Sequence, residues 1–111
     1  MTAMSRLRIG IAGLGRLGRR HAYNLARRVP RAELFAACSP VQDELAWARN
    51  DLGVANLYGD YHELLADARV DAVFLVTPTS LHADQIVSAL EAEKHVFCEK
   101  PLSLDLADCR R

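Results

Sequence analysis

Three glycines at fixed offsets, in Gly13-Leu14-Gly15-Arg16-Leu17-Gly18, stand between a short apolar run, Leu7–Ala12, and an amphipathic stretch, residues 16–29, that Pro30 stops. Few folds pass from a strand into a helix through such a turn. Gly13 permits the tight turn, Gly15 lets a phosphate approach bare backbone, and Gly18 lets the helix lie close on a sheet. The first N–H groups of the helix have no intrahelical partner, and together with the helix dipole they favour an anion. The turn is therefore read as a pyrophosphate-binding loop in which Gly13, Gly15, Arg16, Leu17 and Gly18 meet the ligand, with Arg16 adding positive charge.

Strand and helix signals alternate from there to the end of the chain. Ala32–Cys38 reads as a second strand. Ser39, Pro40 and Gln42 supply an N-cap, a first-turn proline and a capping-box partner for a helix with Val41, Leu45, Ala48 and Leu52 on one face, closed near Gly53. A short third strand is expected around Leu57 and Tyr58, then a capping box at Asp60 and Glu63 ahead of Leu64 and Leu65. Residues 72–76 suit a strand buried on both faces. Ser80 is placed as the cap of a helix carrying Leu81, Ile86, Val87 and Leu90; His95–Cys98 follows as strand five, and residues 103–111 as a last helical start. At 111 residues, 50% apolar and 25% charged, this predicts one α/β unit, a Rossmann-type doubly wound parallel sheet. Residues 1–111 are expected to form a nucleotide-binding domain incomplete at its C-terminal end, truncated before a second α+β domain.

Net charge is zero, yet residues 1–31 hold eight arginines and no acid. Arg16, Arg19, Arg20 and Arg27 fall on one side of the first helix, opposite Leu17, Ala22, Leu25 and Val29, which favours a solvated helix face over a nucleic-acid surface. No apolar run reaches the roughly 18 to 20 residues of a membrane span, and residues 1–8 lack the apolar stretch of a signal peptide. A cytoplasmic protein without membrane or nucleic-acid partners is expected. Cys38, Cys98 and Cys109 show no C-x-x-C spacing, so neither a disulfide framework nor a zinc site is indicated, and Cys38 and Cys98 are expected as buried, reduced strand residues. No acid or cysteine stands at metal-ligand spacing from a histidine, so no metal is expected. His21, His62 and His95 are read as structural and His82 as a local hydrogen-bonding residue.

Dinucleotide folds usually place an acid at the end of strand two, about 20 residues beyond the glycines, to hold the adenosine ribose hydroxyls. Here that position is Ser39, followed by Asp43 and Glu44 and by no nearby base. A serine cannot accept two ribose hydrogen bonds as a carboxylate does, but it does not repel a 2′-phosphate. NAD and NADP both remain open, with the two acids tilting the balance to NAD.

Three stretches in order carry a family resemblance: residues 13–22, residues 70–82 with Thr77-Pro78-Thr79-Ser80-Leu81-His82, and residues 95–102 with Glu99-Lys100-Pro101. Together they resemble the glucose-fructose oxidoreductase and inositol dehydrogenase family, Gfo/Idh/MocA, and within it the bacterial inositol 2-dehydrogenases, over essentially the whole chain. Ser39 in place of an acid, and Glu93 where a helix-ending glycine is frequent, depart from the pattern. The resemblance implies an NAD(P)-dependent dehydrogenase, homo-oligomeric at full length, that oxidises a secondary alcohol of a cyclic polyol or sugar. It implies that Lys100 is catalytic beside the nicotinamide, hydrogen-bonding the substrate oxygen. Thr77, Pro78 and His82 would line the nicotinamide half of the site, Pro101 would constrain the lysine, and Glu99 would pair locally or touch the ribose. The general base of such enzymes comes from an Asp and His pair in the second domain, so this portion alone is expected to be inactive. The rival reading is a non-catalytic nucleotide sensor or interaction module on the same scaffold. Retention of Lys100 weighs against it.

Overall fold

In the computed structural model, residues 7–29, 31–77 and 79–98 are described. The expected last helix over 103–111, Pro78, Glu99, Lys100, Pro101 and the Cys98 side chain lie outside them. The element order is β1 (Leu7–Ala12), α1 (Arg16–Arg27), β2 (Ala32–Cys38), α2 (Gln42–Leu52), β3 (Asn56–Tyr58), α3 (Tyr61–Leu65), β4 (Ala72–Leu75), α4 (Thr79–Glu91) and β5 (His95–Cys98). The strands form one sheet in the order β3-β2-β1-β4-β5, and every pairing is parallel.

Alternation along β1 explains why the sheet is covered twice. Ile9 and Ile11 point into a core that takes in Leu14 from the glycine turn, Ala22 and Leu25 from α1, and Leu45 and Ala48 from α2. The opposite core gathers Ala12, Leu64 and Leu65 from α3, and Ile86 and Ala89 from α4. The β1–β2 register slips between Ile9, which pairs with Leu34, and Gly10, which pairs with Ala36. The slip leaves Phe35 as an extra residue, so Phe35 and Ala36 serve the same core although they are neighbours in sequence.

The buried helix faces match those expected in part: Ala22, Leu25, Leu45, Ala48 and Ile86 are buried as expected. α1 turns Gly18, Ala22 and Leu25 inward, whereas Leu17 and Val29 are exposed, and the helix ends at Arg27. On α4 the inward residues are His82, Ile86 and Ala89; Leu81 and Leu90 face solvent. Val41 is likewise exposed. Each inward stripe includes at least one small residue, Gly18 and Ala22 on α1, Ala48 on α2 and Ala89 on α4, which lets the helix axis come close to the sheet. Arg16, Arg19, Arg20 and Arg27 are exposed as expected. Two of them nevertheless make specific contacts: Arg19 lies 5.1 Å over the Trp47 ring, and Arg27 lies 6.0 Å over Tyr23 and donates to the Asp51 carbonyl at 3.2 Å.

Helix ends follow the expected chemistry in part. Asp60 accepts from the His62 N–H at the start of α3, and left-handed Gly53 closes α2. α4 already begins at Thr79, so Ser80 lies inside its first turn instead of capping it. Its far end closes through Glu93, whose φ is 63°, with the Lys94 N–H donating to the Ala89 carbonyl at 2.9 Å. The Lys94 side chain is buried, and its ammonium donates to the carbonyls of Asp67 at 2.8 Å and Val70 at 2.6 Å. It ties the α3–β4 connection to the α4–β5 turn.

Asp67 anchors a second polar cluster. It accepts from Tyr58 Oη at 2.7 Å and from Arg69 Nε and Nη2 at 2.9 Å each, while Arg69 lies 4.9 Å over the Phe35 ring. The Arg69 guanidinium, with help from the Tyr58 hydroxyl, holds the Asp67 carboxyl well below the usual carboxylate range. Stability from a depressed carboxylate is complete above its unfolded pKa and is lost as pH falls toward the folded one.

Two predictions follow from these ends and clusters. Glu93→Gly should raise stability by about 1 kcal/mol, the cost of holding an L-residue in the left-handed region, read as a higher urea midpoint with an unchanged slope. Asp67→Asn should cost about 1–3 kcal/mol at pH 7. That deficit should shrink below about pH 4, as the parent loses its ionised-state advantage, in urea titrations at pH 7 and pH 3.

Candidate functional site

β1 lies between β2 and β4, and the chain leaves β1 and β4 toward opposite faces of the sheet. A crevice opens where the strand order reverses, at the carboxyl edge. The Gly13 N–H donates to the Cys38 carbonyl at 3.0 Å, and the Val76 N–H to the Ala12 carbonyl at 2.9 Å, so the sheet is knitted up to the crevice and no further. A cleft of about 530 Å³ occupies it, walled by Gly13, Leu14, Gly15, Ser39, Thr77 and residues of the β3–α3 turn and α4.

The three glycines do different work. Gly13 has φ 103°, and a Cβ there would stand 2.6 Å from the Val76 carbonyl oxygen. A Cβ at Gly18 would stand 2.1 Å from the Gly13 carbonyl oxygen. Gly15 is unlike either: its φ is −69°, open to any residue, and a Cβ would meet no atom within 4 Å. Nothing among the described residues requires a glycine there, so the space in front of it suits a ligand. α1 starts at this point without a side-chain cap and without an acid in its first turn, leaving its first N–H groups for an anion. These features fit a dinucleotide pyrophosphate. Arg16 and Leu17 are both exposed beside it.

Ser39 is 1% exposed at the end of β2. Its hydroxyl accepts from the Val41 N–H at 3.0 Å and donates to Glu44 Oε1 at 2.5 Å. The expected cap is thus displaced. The N-cap is Val41, Pro40 precedes the helix, and Glu44 takes the place given to Gln42. Cys38, just before, is buried as expected, and burial, reinforced by the charges of Asp60 and Glu63, pushes its thiol up to about 11.

On the other wall the Thr77 hydroxyl donates to Gln85 Oε1, and Tyr61 Oη donates to the Gln85 carbonyl at 2.8 Å. His82 is buried, and neither ring nitrogen has a hydrogen-bond partner among the described residues, where a local bond was expected. The His21 ring lies 4.8 Å from Phe74, a packing role. β5 runs parallel to β4 and ends at Cys98, two positions before Lys100 in the sequence. The structure thus gathers Gly13, Gly15, Ser39 and Thr77 around one cleft, with Gly18 behind the turn.

Sequence reasoning missed Leu14, Tyr61 and Gln85 on the wall, and it read Asp60 only as a helix cap. A signal for part of this set existed. In an all-parallel sheet every strand-to-helix turn opens on the same edge, so residues following each strand are candidates together. No group of three or more His, Cys, Asp or Glu that could hold a metal occurs among the described residues, and none of their helices is long and apolar enough to cross a membrane.

The glycine geometry separates folding from binding. Gly15→Val should cost at most about 1 kcal/mol, the difference between glycine and an apolar residue at an N-cap. Gly18→Val should cost about 3 kcal/mol or more through overpacking against backbone. Thermal melts followed by circular dichroism would check the contrast.

The chain matches a family described as "Oxidoreductase family, NAD-binding Rossmann fold" over residues 7–111. It is 46% identical over 105 residues to a myo-inositol 2-dehydrogenase of Thermotoga maritima, covering 95% of this chain and 31% of that protein. It is 41% identical over 104 residues to a scyllo-inositol 2-dehydrogenase (NAD(+)) of Bacillus subtilis, covering 94% of this chain and 30% of that protein. A crystal structure of scyllo-inositol dehydrogenase from Lactobacillus casei, with bound NAD(H) and scyllo-inositol, superposes with a TM-score of 0.87 at 47% identity, covering 96% of this chain and 31% of that one. The chain therefore spans about a third of the length of these relatives. With the glycine turn, the parallel sheet and the cleft at its switch point in agreement, the chain belongs to the Gfo/Idh/MocA oxidoreductase family and is an NAD-binding Rossmann domain.

Proposed function

We propose that this domain is the coenzyme-binding part of a longer dehydrogenase that oxidises a secondary alcohol of an inositol, or of a closely related cyclic polyol, to the ketone. The observation that carries the coenzyme half is the open space before Gly15, at the uncapped start of α1. The substrate half rests on the similarity to inositol dehydrogenases.

Bound NAD+ supplies the hydride acceptor. The residues of this chain position it and prepare its surroundings. First-turn N–H groups of α1 hold the pyrophosphate, and Arg16 adds charge at its rim. Thr77 stands on the cleft wall with its hydroxyl already oriented by Gln85, and likeness to the family assigns it, Pro78 and His82 to the nicotinamide half, although the His82 side chain is buried and is not part of that wall. Strand β5 ends at Cys98 on the carboxyl edge, where ligands bind in doubly wound sheets, and Glu99, Lys100 and Pro101 follow it directly in sequence. The Lys100 ammonium hydrogen-bonds the substrate oxygen and stabilises the negative charge that grows on it as hydride leaves carbon. The proton acceptor and the surface that selects the polyol belong to the second domain.

NADH titrated calorimetrically into this chain should bind, and Gly15→Val should abolish the heat while the circular dichroism melt stays near the parent's. In the complete enzyme, Lys100→Met should lower kcat for inositol-dependent NAD+ reduction by about 10²- to 10³-fold with NADH affinity retained. A folded chain that binds no dinucleotide would overturn the proposal, as would a Lys100→Met enzyme of undiminished kcat.

A further inference from the structure

The usual acid at the end of strand two is missing, but a carboxylate has not been lost from that place. Ser39 is 1% exposed and has a single hydroxyl proton, which it gives to Glu44 Oε1 at 2.5 Å. One lone pair of the same oxygen takes the Val41 N–H at 3.0 Å. Ser39 therefore has no proton left to offer a ligand. Its bonds instead fix the first turn of α2 so that Glu44 stands beside it on the cleft wall, together with Gly13 and Gly15. Glu44 keeps most of its capacity as an acceptor, since an ionised carboxylate has about four lone-pair sites. Among the described residues the wall of this cleft carries no arginine or lysine.

We propose that Glu44, aligned by the Ser39 hydroxyl, is the carboxylate that receives the adenosine ribose hydroxyls and sets a preference for NAD(H) over NADP(H). The two residues together replace one strand-end acid: the serine supplies the position and the glutamate the charge. A 2′-phosphate at that ribose would meet the Glu44 charge with no cation on the wall to offset it. The inference rests on the dinucleotide reading above and adds the residue that discriminates between its two forms.

The test is calorimetric titration of NADH and NADPH into the parent chain, Glu44→Gln, Glu44→Arg, Ser39→Ala and Gly15→Val, each first checked for a native melt. The parent should favour NADH by about tenfold or more, the worth of one hydrogen bond to a charged group. Glu44→Gln keeps an acceptor for Ser39, so it should fold, and its NADH-to-NADPH preference should fall about tenfold. Glu44→Arg should reverse the preference, a gain that unfolding cannot mimic. Ser39→Ala keeps the charge but loses its alignment, and should weaken NADH while still disfavouring NADPH. Equal affinities in the parent, or a preference unmoved by Glu44→Gln and Glu44→Arg while Gly15→Val still abolishes binding, would overturn the inference and leave the dinucleotide reading intact. A folded parent that binds neither coenzyme would overturn both.

Discussion

The rest of the site depends on one approach of bare backbone to bare backbone, Gly18 of α1 against the carbonyl of Gly13, where even a single Cβ would stand 2.1 Å away. A residue with a side chain at position 18 would push α1 off the turn that precedes it. Because none is there, the helix starts directly over the carboxyl edge of β1, and its first N–H groups face the crevice between the chains leaving β1 and β4. The anion site is thus a product of helix–sheet packing and not of any dedicated binding side chain.

The two edges of the sheet are finished differently. At the amino edge, Lys94 and Asp71 close the connections: the lysine holds two carbonyls of the α3–β4 turn, while the Asp71 N–H donates to the Arg8 carbonyl, its carboxylate accepts from the Arg8 N–H, and its carbonyl accepts from the His95 N–H. At the carboxyl edge the polar side chains pair across short distances, Ser39 with Glu44 and Thr77 with Gln85, and the cleft is left between the pairs. Loops on a rigid scaffold can carry binding groups only where the scaffold does not need those groups itself. Both edges carry structural polar bonds, but only at the carboxyl edge do they leave a cleft between them.

Much of the fold was legible beforehand. The strand-turn-helix around Gly13 to Gly18, the alternation that makes the sheet parallel, and Gly53 as a helix stop all rest on local chemistry that leaves a mark in sequence. Helix faces were less legible. Leu17, Val29, Val41, Leu81 and Leu90 belong to the expected apolar stripes yet face solvent; Ala22, Leu25, Leu45, Ala48 and Ile86 are buried as expected, and His82 and Ala89 are buried outside those stripes. Periodicity finds a stripe by size and hydrophobicity, whereas close packing on a sheet selects small residues a position or so away. The Ser39 cap was misplaced for a related reason. Its hydroxyl bonds the backbone two residues on, as a turn, before the helix has begun.

By itself the sequence determined the order of elements, the glycine turn and the edge of the sheet at which a ligand must bind, because each follows from interactions among residues within one or two turns of chain. The motif also assigned Gly15 to the ligand and Gly18 to packing, and the geometry at both positions fits those roles; only the tertiary structure decided how close those approaches are, where Phe35 is squeezed out of register, and that Ser39 and Glu44 act as a pair. These depend on the distance and angle between segments brought together by packing. The spacing of the glycines names their roles, but the 2.6 Å and 2.1 Å that a Cβ at Gly13 or Gly18 would leave, and the open space before Gly15, exist only once the helix is packed on the sheet.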